Sequence, residues 1–132
     1  MSKAKLPRRP LSERNPYHLD EFREKEIVYF CYQYDSWKKR LKDIKFIGGT
    51  DEWSDPTSKE AIDRINCEQK MKIVENACKR AYPKEWELLL EGVTNPDANF
   101  TYLKMMRGFK CGRDRYYSLK HQVYFYVAQV RV

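Results

Sequence analysis

Between Ile27 and Ile44 the large side chains Ile27, Phe30, Tyr34, Trp37, Leu41 and Ile44 recur at spacings of 3, 4, 3, 4 and 3. On an α-helix this repeat makes one stripe; on a strand it would scatter the same residues over both faces. The expectation is a long helix from about Tyr17 to Phe46. Aromatic rings (Phe30, Tyr34, Trp37) fill half of the stripe and the run is short, which favours packing inside a globular helical unit over an extended coiled-coil dimer. Gly48-Gly49 should end the helix, with Thr50 to Pro56 as a polar turn. Thr57-Ser58-Lys59-Glu60 then fits a capping box, in which hydroxyl and carboxylate each satisfy one backbone N–H of a helix start. The second helix should run to about Ala81, where Tyr82-Pro83 stops it. Its apolar side reads Ile62, Ile65, Met71, Ile73, Val74, Ala77, Cys78 and Ala81. Two helices joined by a short polar turn pack most naturally as an antiparallel hairpin.

A third helix is expected from Lys84 to about Glu91, followed by a loop, Gly92 to Asn99. Asn99 suits the N-cap of a short helix through Met106, whose apolar run is Phe100, Tyr102, Leu103, Met105 and Met106. After a break at Arg107-Gly108-Phe109-Lys110-Cys111-Gly112, Tyr116, Leu119, Val123, Tyr126, Val127 and Val130 resume a helical spacing almost to the end. The stretch VYFYVAQV has β propensity but continues that register, so it reads as helix. The fold class is therefore all-α: a flexible basic arm over 1–16, a helical hairpin over 17–82, and a helix-turn-helix over 83–132.

The chain carries a formal net charge of +7, unevenly distributed. Residues 1–14 contribute +4, residues 15–100 contribute −3, and residues 101–132 contribute +6. Two cationic ends around an ordinary middle favour a polyanionic partner. In the last helix, Arg113 and Arg115 sit where a recognition helix reaches deepest into a major groove, and their planar forks match guanine O6 and N7. If Tyr116, Leu119 and Val123 face the core, Asp114, Tyr117, Ser118 and His121 should point away. Tyr117 and His121 would then donate to phosphates or pack on sugars, and Lys120 would meet a phosphate. Lys104, Arg107 and Lys110 flank the turn and suit phosphate contacts that fix position without reading sequence. The other reading of this basic face is docking on an acidic protein.

Catalytic signatures are absent: there is no GxxxxGK[ST] loop, GxSxG elbow or HExxH helix. Asp51, Glu52 and Asp55 cluster in a turn without a supporting histidine, as acid-rich turns commonly do. Cys31, Cys67, Cys78 and Cys111 form no CxxC pair, and His18 and His121 complete the histidines, so the thiols read as free and no metal or cofactor is expected. No apolar run is long enough for a bilayer and the N-terminus lacks a signal-peptide core, which together suggest a cytosolic chain without membrane or small-molecule partners.

The segment Cys111-Gly112-Arg113-Asp114-Arg115-Tyr116-Tyr117-Ser118-Leu119-Lys120, followed by Val123-Tyr124-Phe125-Tyr126-Val127-Ala128, resembles the ArpU/RinA-type phage transcriptional regulators. These end in a helix-turn-helix similar to region 4 of sigma factors. The resemblance covers the C-terminal third well and the remainder in layout, including Asp55-Pro56-Thr57 opening the second helix. It implies a DNA-binding activator of late packaging and morphogenesis genes in a bacterial host, acting on double-stranded promoter DNA and touching host RNA polymerase. By position it carries DNA reading to Arg113, Asp114, Arg115 and Tyr117. Two alternatives remain open at the level of sequence: a DNA-recognition protein of phage packaging, similar to a terminase small subunit, and a module that binds polymerase without DNA.

Overall fold

The computed structural model describes residues 12–48 and 59–131, with backbone alone for 44–48. Among these residues all regular structure is helical: α1 (Glu21–Tyr32), α2 (Tyr34–Gly48), α3 (Lys59–Ala81), α4 (Trp86–Thr94), α5 (Phe100–Arg107) and α6 (Arg113–Val130). Most of the expected basic arm, the turn after Gly48, the Thr57 cap and the Asp51/Glu52/Asp55 cluster lie outside the described residues.

The single helix expected from Tyr17 to Phe46 is instead two, starting at Glu21 and meeting at Gln33. The Gln33 N–H donates to Phe30 O at 3.2 Å, three residues back, which tightens the turn. The side-chain amide of Gln33 reaches Tyr29 O at 3.5 Å, the carbonyl a regular α-helix would have given to that N–H. Gln33 keeps right-handed dihedrals (φ −81°, ψ −5°), so the apolar stripe does not lose phase. Ile27, Phe30, Tyr34 and Trp37 are all buried, and the Phe30 and Trp37 rings meet at 4.9 Å across the break.

Helices α2 and α3 run antiparallel. Tyr34 donates to the Glu75 carboxylate, Lys70 lies 5.8 Å over the Trp37 ring, and Arg40 pairs with Asp63 at 2.6 Å, so positions fall along α3 as they rise along α2. The core face of α3 is Cys67, Val74, Ala77 and Cys78. Ile62 and Ile65, expected on that face, are exposed. At 3.6 residues per turn they sit roughly 120° and 180° around the helix from Val74, out of phase with the 67–74–78 stripe.

The third helix begins at Trp86 and extends through Gly92, Val93 and Thr94, which were expected in a loop. The Thr94 hydroxyl donates to Leu90 O at 2.7 Å, and Val93 is fully buried, so packing carries the helix past its glycine. The last segment is helix, as its register required. Tyr116, Leu119, Val123, Tyr124 and Val127 of α6 are buried against α1, α3 and α4. Residues from both sides of Pro83 thus share one core.

From Leu119 onward α6 is also held from its far side. Arg23 of α1 donates to Ala128 O at 3.4 Å and to Arg131 O, carbonyls at the helix end that have no intrahelical donor. A cation at that end also opposes the helix dipole. Arg131 stacks 4.1 Å over Phe30, and Tyr17 meets Phe125 and Tyr126 edge-on at 5.6 and 5.9 Å.

The four cysteines are buried free thiols. Burial pushes the Cys31 thiol up to about 12 and raises Cys78 well above its ordinary value, which keeps both protonated and unreactive. Cys78 owes that shift chiefly to desolvation, with Cys31 nearby adding to it. No helix among the described residues is long and apolar enough to cross a membrane. Leu119→Ala should lower the unfolding free energy by about 2–5 kcal/mol, because the cavity opens where α6 meets the core. Urea denaturation followed by circular dichroism checks this through a reduced midpoint at unchanged slope.

Candidate nucleic-acid interface

The basic residues singled out in the sequence lie on α5, α6 and the turn between them, and the local chemistry of that turn fixes their positions. Asn99 caps α5, its side-chain oxygen accepting from the Tyr102 N–H at 2.8 Å. At the other end Gly108 adopts φ +67°, a conformation that L side chains rarely take, and Leu103 O accepts from the N–H groups of both Gly108 and Phe109. The reversal turns Phe109 and Cys111 inward, where both are buried. The Phe109 ring packs edge-on against Tyr82 at 6.2 Å and against Tyr116 at 5.6 Å. Between them the Lys110 N–H donates to the Glu85 carboxylate at 3.2 Å, tying the turn to the start of α4 while the Lys110 side chain stays exposed.

Gly92 sets how closely α6 approaches α4. A Cβ there would stand 2.2 Å from the Tyr116 hydroxyl oxygen and 3.1 Å from Leu103 Cδ1. Only a hydrogen in that place lets Tyr116 lie between Phe100 and Phe109. The Tyr116 hydroxyl is buried and meets no hydrogen-bonding partner among the described residues. Burial raises its pKa above the ordinary phenol value.

With Tyr116 fixed, the first two turns of α6 turn Arg113, Asp114, Arg115, Tyr117 and Ser118 to solvent. The Arg113 guanidinium sits 5.5 Å over the Phe100 ring, within the range of a cation–π attraction. Lys104 of α5 and Arg115 of α6 both bear on Cys111. Desolvation raises that thiol's pKa, while Arg115, Lys104 and a backbone hydrogen bond at Gly112 oppose the rise. Lys104 and Arg115 thus both lie near Cys111, with Lys110 exposed in the same turn and Arg113 beginning α6.

Three of the expected contacts are placed otherwise. Arg107 is exposed, but its Nε donates to Glu91 at 2.9 Å, an ion pair that joins α5 to α4. His121, expected to point away from the core, turns into it: Nδ1 lies 2.6 Å from the buried carboxylate of Glu24 in α1. Lys120 folds back along the aromatic rings of Tyr116 and Tyr117, 5.4 and 5.9 Å from their centroids. Burial lowers its pKa to about 8, with Cys31 acting in the other direction. The reason is common to His121 and Lys120: α1 covers the side of α6 that its own periodicity left polar.

Phe100, Glu85 and Gly92 were not singled out for this site. Their roles arise from long-range placement, beneath an arginine, beside a turn and behind a tyrosine. Met105 and Met106, read as part of an apolar face, are instead exposed on α5, at 76% and 72%. No protein-family model matches the chain, and no curated protein or solved structure matches it.

Gly92→Ala should destabilise the fold by about 1–3 kcal/mol through the clash with Tyr116. Removing the hydroxyl in a Tyr116→Phe background should recover much of that loss, and a double-mutant cycle by urea denaturation reads the coupling. Independent, additive effects would mean that the two groups do not meet. Lys120 yields a pH prediction. Its folded pKa is depressed below the unfolded value, so between about pH 8 and 10.4 the unfolded chain holds the extra proton and this group's contribution to stability rises with pH. Lys120→Met should therefore stabilise the protein at pH 7, by up to about 3 kcal/mol, and this advantage should shrink from pH 8 to 9.5. The comparison of variant with wild type cancels the titration of the thiols and phenols, and paired denaturation curves measure it.

Proposed function

We propose that this protein is a sequence-specific binder of double-stranded promoter DNA, a regulator of phage late genes of the kind its C-terminal segment resembles. In this reading α4, α5 and α6 act as a helix-turn-helix similar to sigma factor region 4, preceded by the α2–α3 hairpin, and α6 is the recognition helix. Its role is binding rather than catalysis. The observation that carries the proposal is the exposure of Arg113, Arg115 and Tyr117 on the first two turns of a helix whose remainder is clamped by α1 and α3. A rigid helix presenting its N-terminal arginines suits bidentate contacts with guanine in a major groove. Lys104 and Lys110, on either side of Gly108, then suit flanking phosphates. His121 and Lys120 do not serve as contacts in this pose, and Arg107 reaches a phosphate only by leaving Glu91. The exposed methionines beside this face favour a protein contact as well, consistent with host RNA polymerase as a second partner, since Met side chains adapt to varied apolar surfaces.

Fluorescence anisotropy with duplex fragments of the source genome and with random duplex, across a salt titration, tests the proposal. The wild type should prefer one fragment and lose affinity steeply with salt, with a slope of about −0.9 per neutralised phosphate. Arg113→Ala/Arg115→Ala should remove the preference, each guanine contact accounting for about 1–3 kcal/mol of discrimination. Lys104→Ala and Lys110→Ala should weaken binding to all duplexes alike and flatten the salt slope. A slope near zero on every duplex sinks the DNA reading and leaves the basic face as a protein-docking surface.

A further inference from the structure

The start of α4 is fastened to the basic turn between α5 and α6. Glu85 is the N-cap of α4, yet its side chain makes no capping bond to that helix. Its carboxylate accepts instead from the Lys110 N–H at 3.2 Å. The Tyr82 ring, three residues earlier, meets Phe109 of the turn edge-on at 6.2 Å. Desolvation raises the Cys111 pKa, and the charges that bear on the same thiol are those of Arg115, Glu85 and Lys104. The start of α4, the turn, and the facing ends of α5 and α6 therefore converge, although 25 residues separate Glu85 from Lys110.

Two further lysines come with this junction. Lys84 immediately precedes Glu85, is exposed, and forms no ion pair among the described residues. Lys79 is exposed as well, with Nζ 4.6 Å over the ring of Trp86, the first residue of α4. Arg80 beside it is placed elsewhere, 4.1 Å over Tyr126. Lys79 lies in the last turn of α3, where a cation opposes the helix dipole. Lys84 lies past that end, outside any helix, and has no such local role.

We propose that Lys84, with Lys79 beside it, belongs to the DNA interface and contacts phosphates bordering the groove that α6 enters. The proposal rests on the DNA reading above and extends its footprint to the junction of α3 and α4. With Arg113 and Arg115 in the major groove, the turn beside α6 meets the bordering backbone, and Glu85 holds the start of α4 against that turn. Glu85 itself is half-buried and engaged with the Lys110 N–H, and the cations of this collar, Lys84, Lys104, Lys110 and Arg115, outnumber it. An unpaired ammonium beside a phosphate row releases counterions without reading a base. In the sequence both lysines are hidden in residues 15–100, whose net charge is −3, and only packing separates them from that average.

Anisotropy titrations of the full chain with genomic fragments and random duplex, from about 50 to 200 mM salt, test the proposal. Lys84→Ala should reduce the salt slope by about 0.9, so that its deficit against wild type shrinks about three- to fourfold over that range. Lys79→Ala should act alike, and Lys84→Glu should weaken binding further. The ratio of affinities between fragments should not change, because phosphates carry no sequence. Lys39→Ala removes the same charge from an exposed site on α2 and should leave the slope unaltered. Its neighbour Arg40 pairs with Asp63, about 27 Å along α3 from Ala81 and well beyond a Debye length of about 8–10 Å. Circular dichroism verifies the folding of Lys79→Ala, and the Lys84 arms decide the matter even if that variant unfolds. A wild type with a steep slope, and a Lys84→Ala variant that behaves as Lys39→Ala does, overturn this proposal and leave the DNA reading standing. A wild-type slope near zero on every duplex overturns both.

Discussion

Tyr116, Leu119, Val123, Tyr124 and Val127 are almost wholly removed from solvent, and all belong to α6. Burying so much of one helix requires partners on more than one side, and the rest of the chain supplies them. Helix α3 brings Val74 and Cys78, α4 brings Leu89 and Val93, and α1 brings Ile27, Val28 and Cys31. This central burial contributes apolar stabilisation in proportion to the surface it removes from water. It also divides α6 in two, a clamped part from Leu119 onward and a first part that is anchored by Tyr116 and turns its other side chains to solvent.

Covering α6 on several sides encloses polar groups, and each is accommodated differently. The buried Glu24 and the half-buried His121 are hydrogen-bonded to each other, which avoids the cost of leaving either alone. Arg23 supplies donors to carbonyls at the end of α6. Lys120 meets aromatic faces, and its lowered pKa expresses the cost of holding an ammonium there. The same clamping gives the exposed turns their rigidity: with Tyr116 held between Phe100 and Phe109 and set against Gly92, Arg113 and Arg115 project from a fixed base. A binding surface made from such a segment loses little conformational entropy when a ligand arrives.

Much of this was legible in the sequence because it depends on near neighbours. Helical periodicity gave the all-helical class and the character of the VYFYVAQV tail, Asn99 announced the start of α5, and Gly108 the reversal after it. The exposure of Arg113, Asp114, Arg115 and Tyr117 follows from the same arithmetic that buries Tyr116 and Leu119. Less accessible were interactions that replace a default local choice. Gln33 breaks a helix without proline or glycine, through a side chain competing for a backbone carbonyl. Gly92 looks like a loop residue, yet lies within a helix because Tyr116 occupies the space beside it.

The sequence by itself determined which residues share a helix face, where several helices begin and end, and that cationic side chains gather around the last turn and helix. Local hydrogen bonding and a fixed rotation per residue are sufficient for that. Only the tertiary structure decided which of those cations remain exposed. Periodicity specifies one buried face and says nothing about what covers the other. The answer came from α1, whose Glu24 meets His121 across 97 residues of chain, and from Glu91, which holds Arg107. A charge finds its counterion wherever packing places one, and that distance in space is set by the whole core rather than by position along the chain.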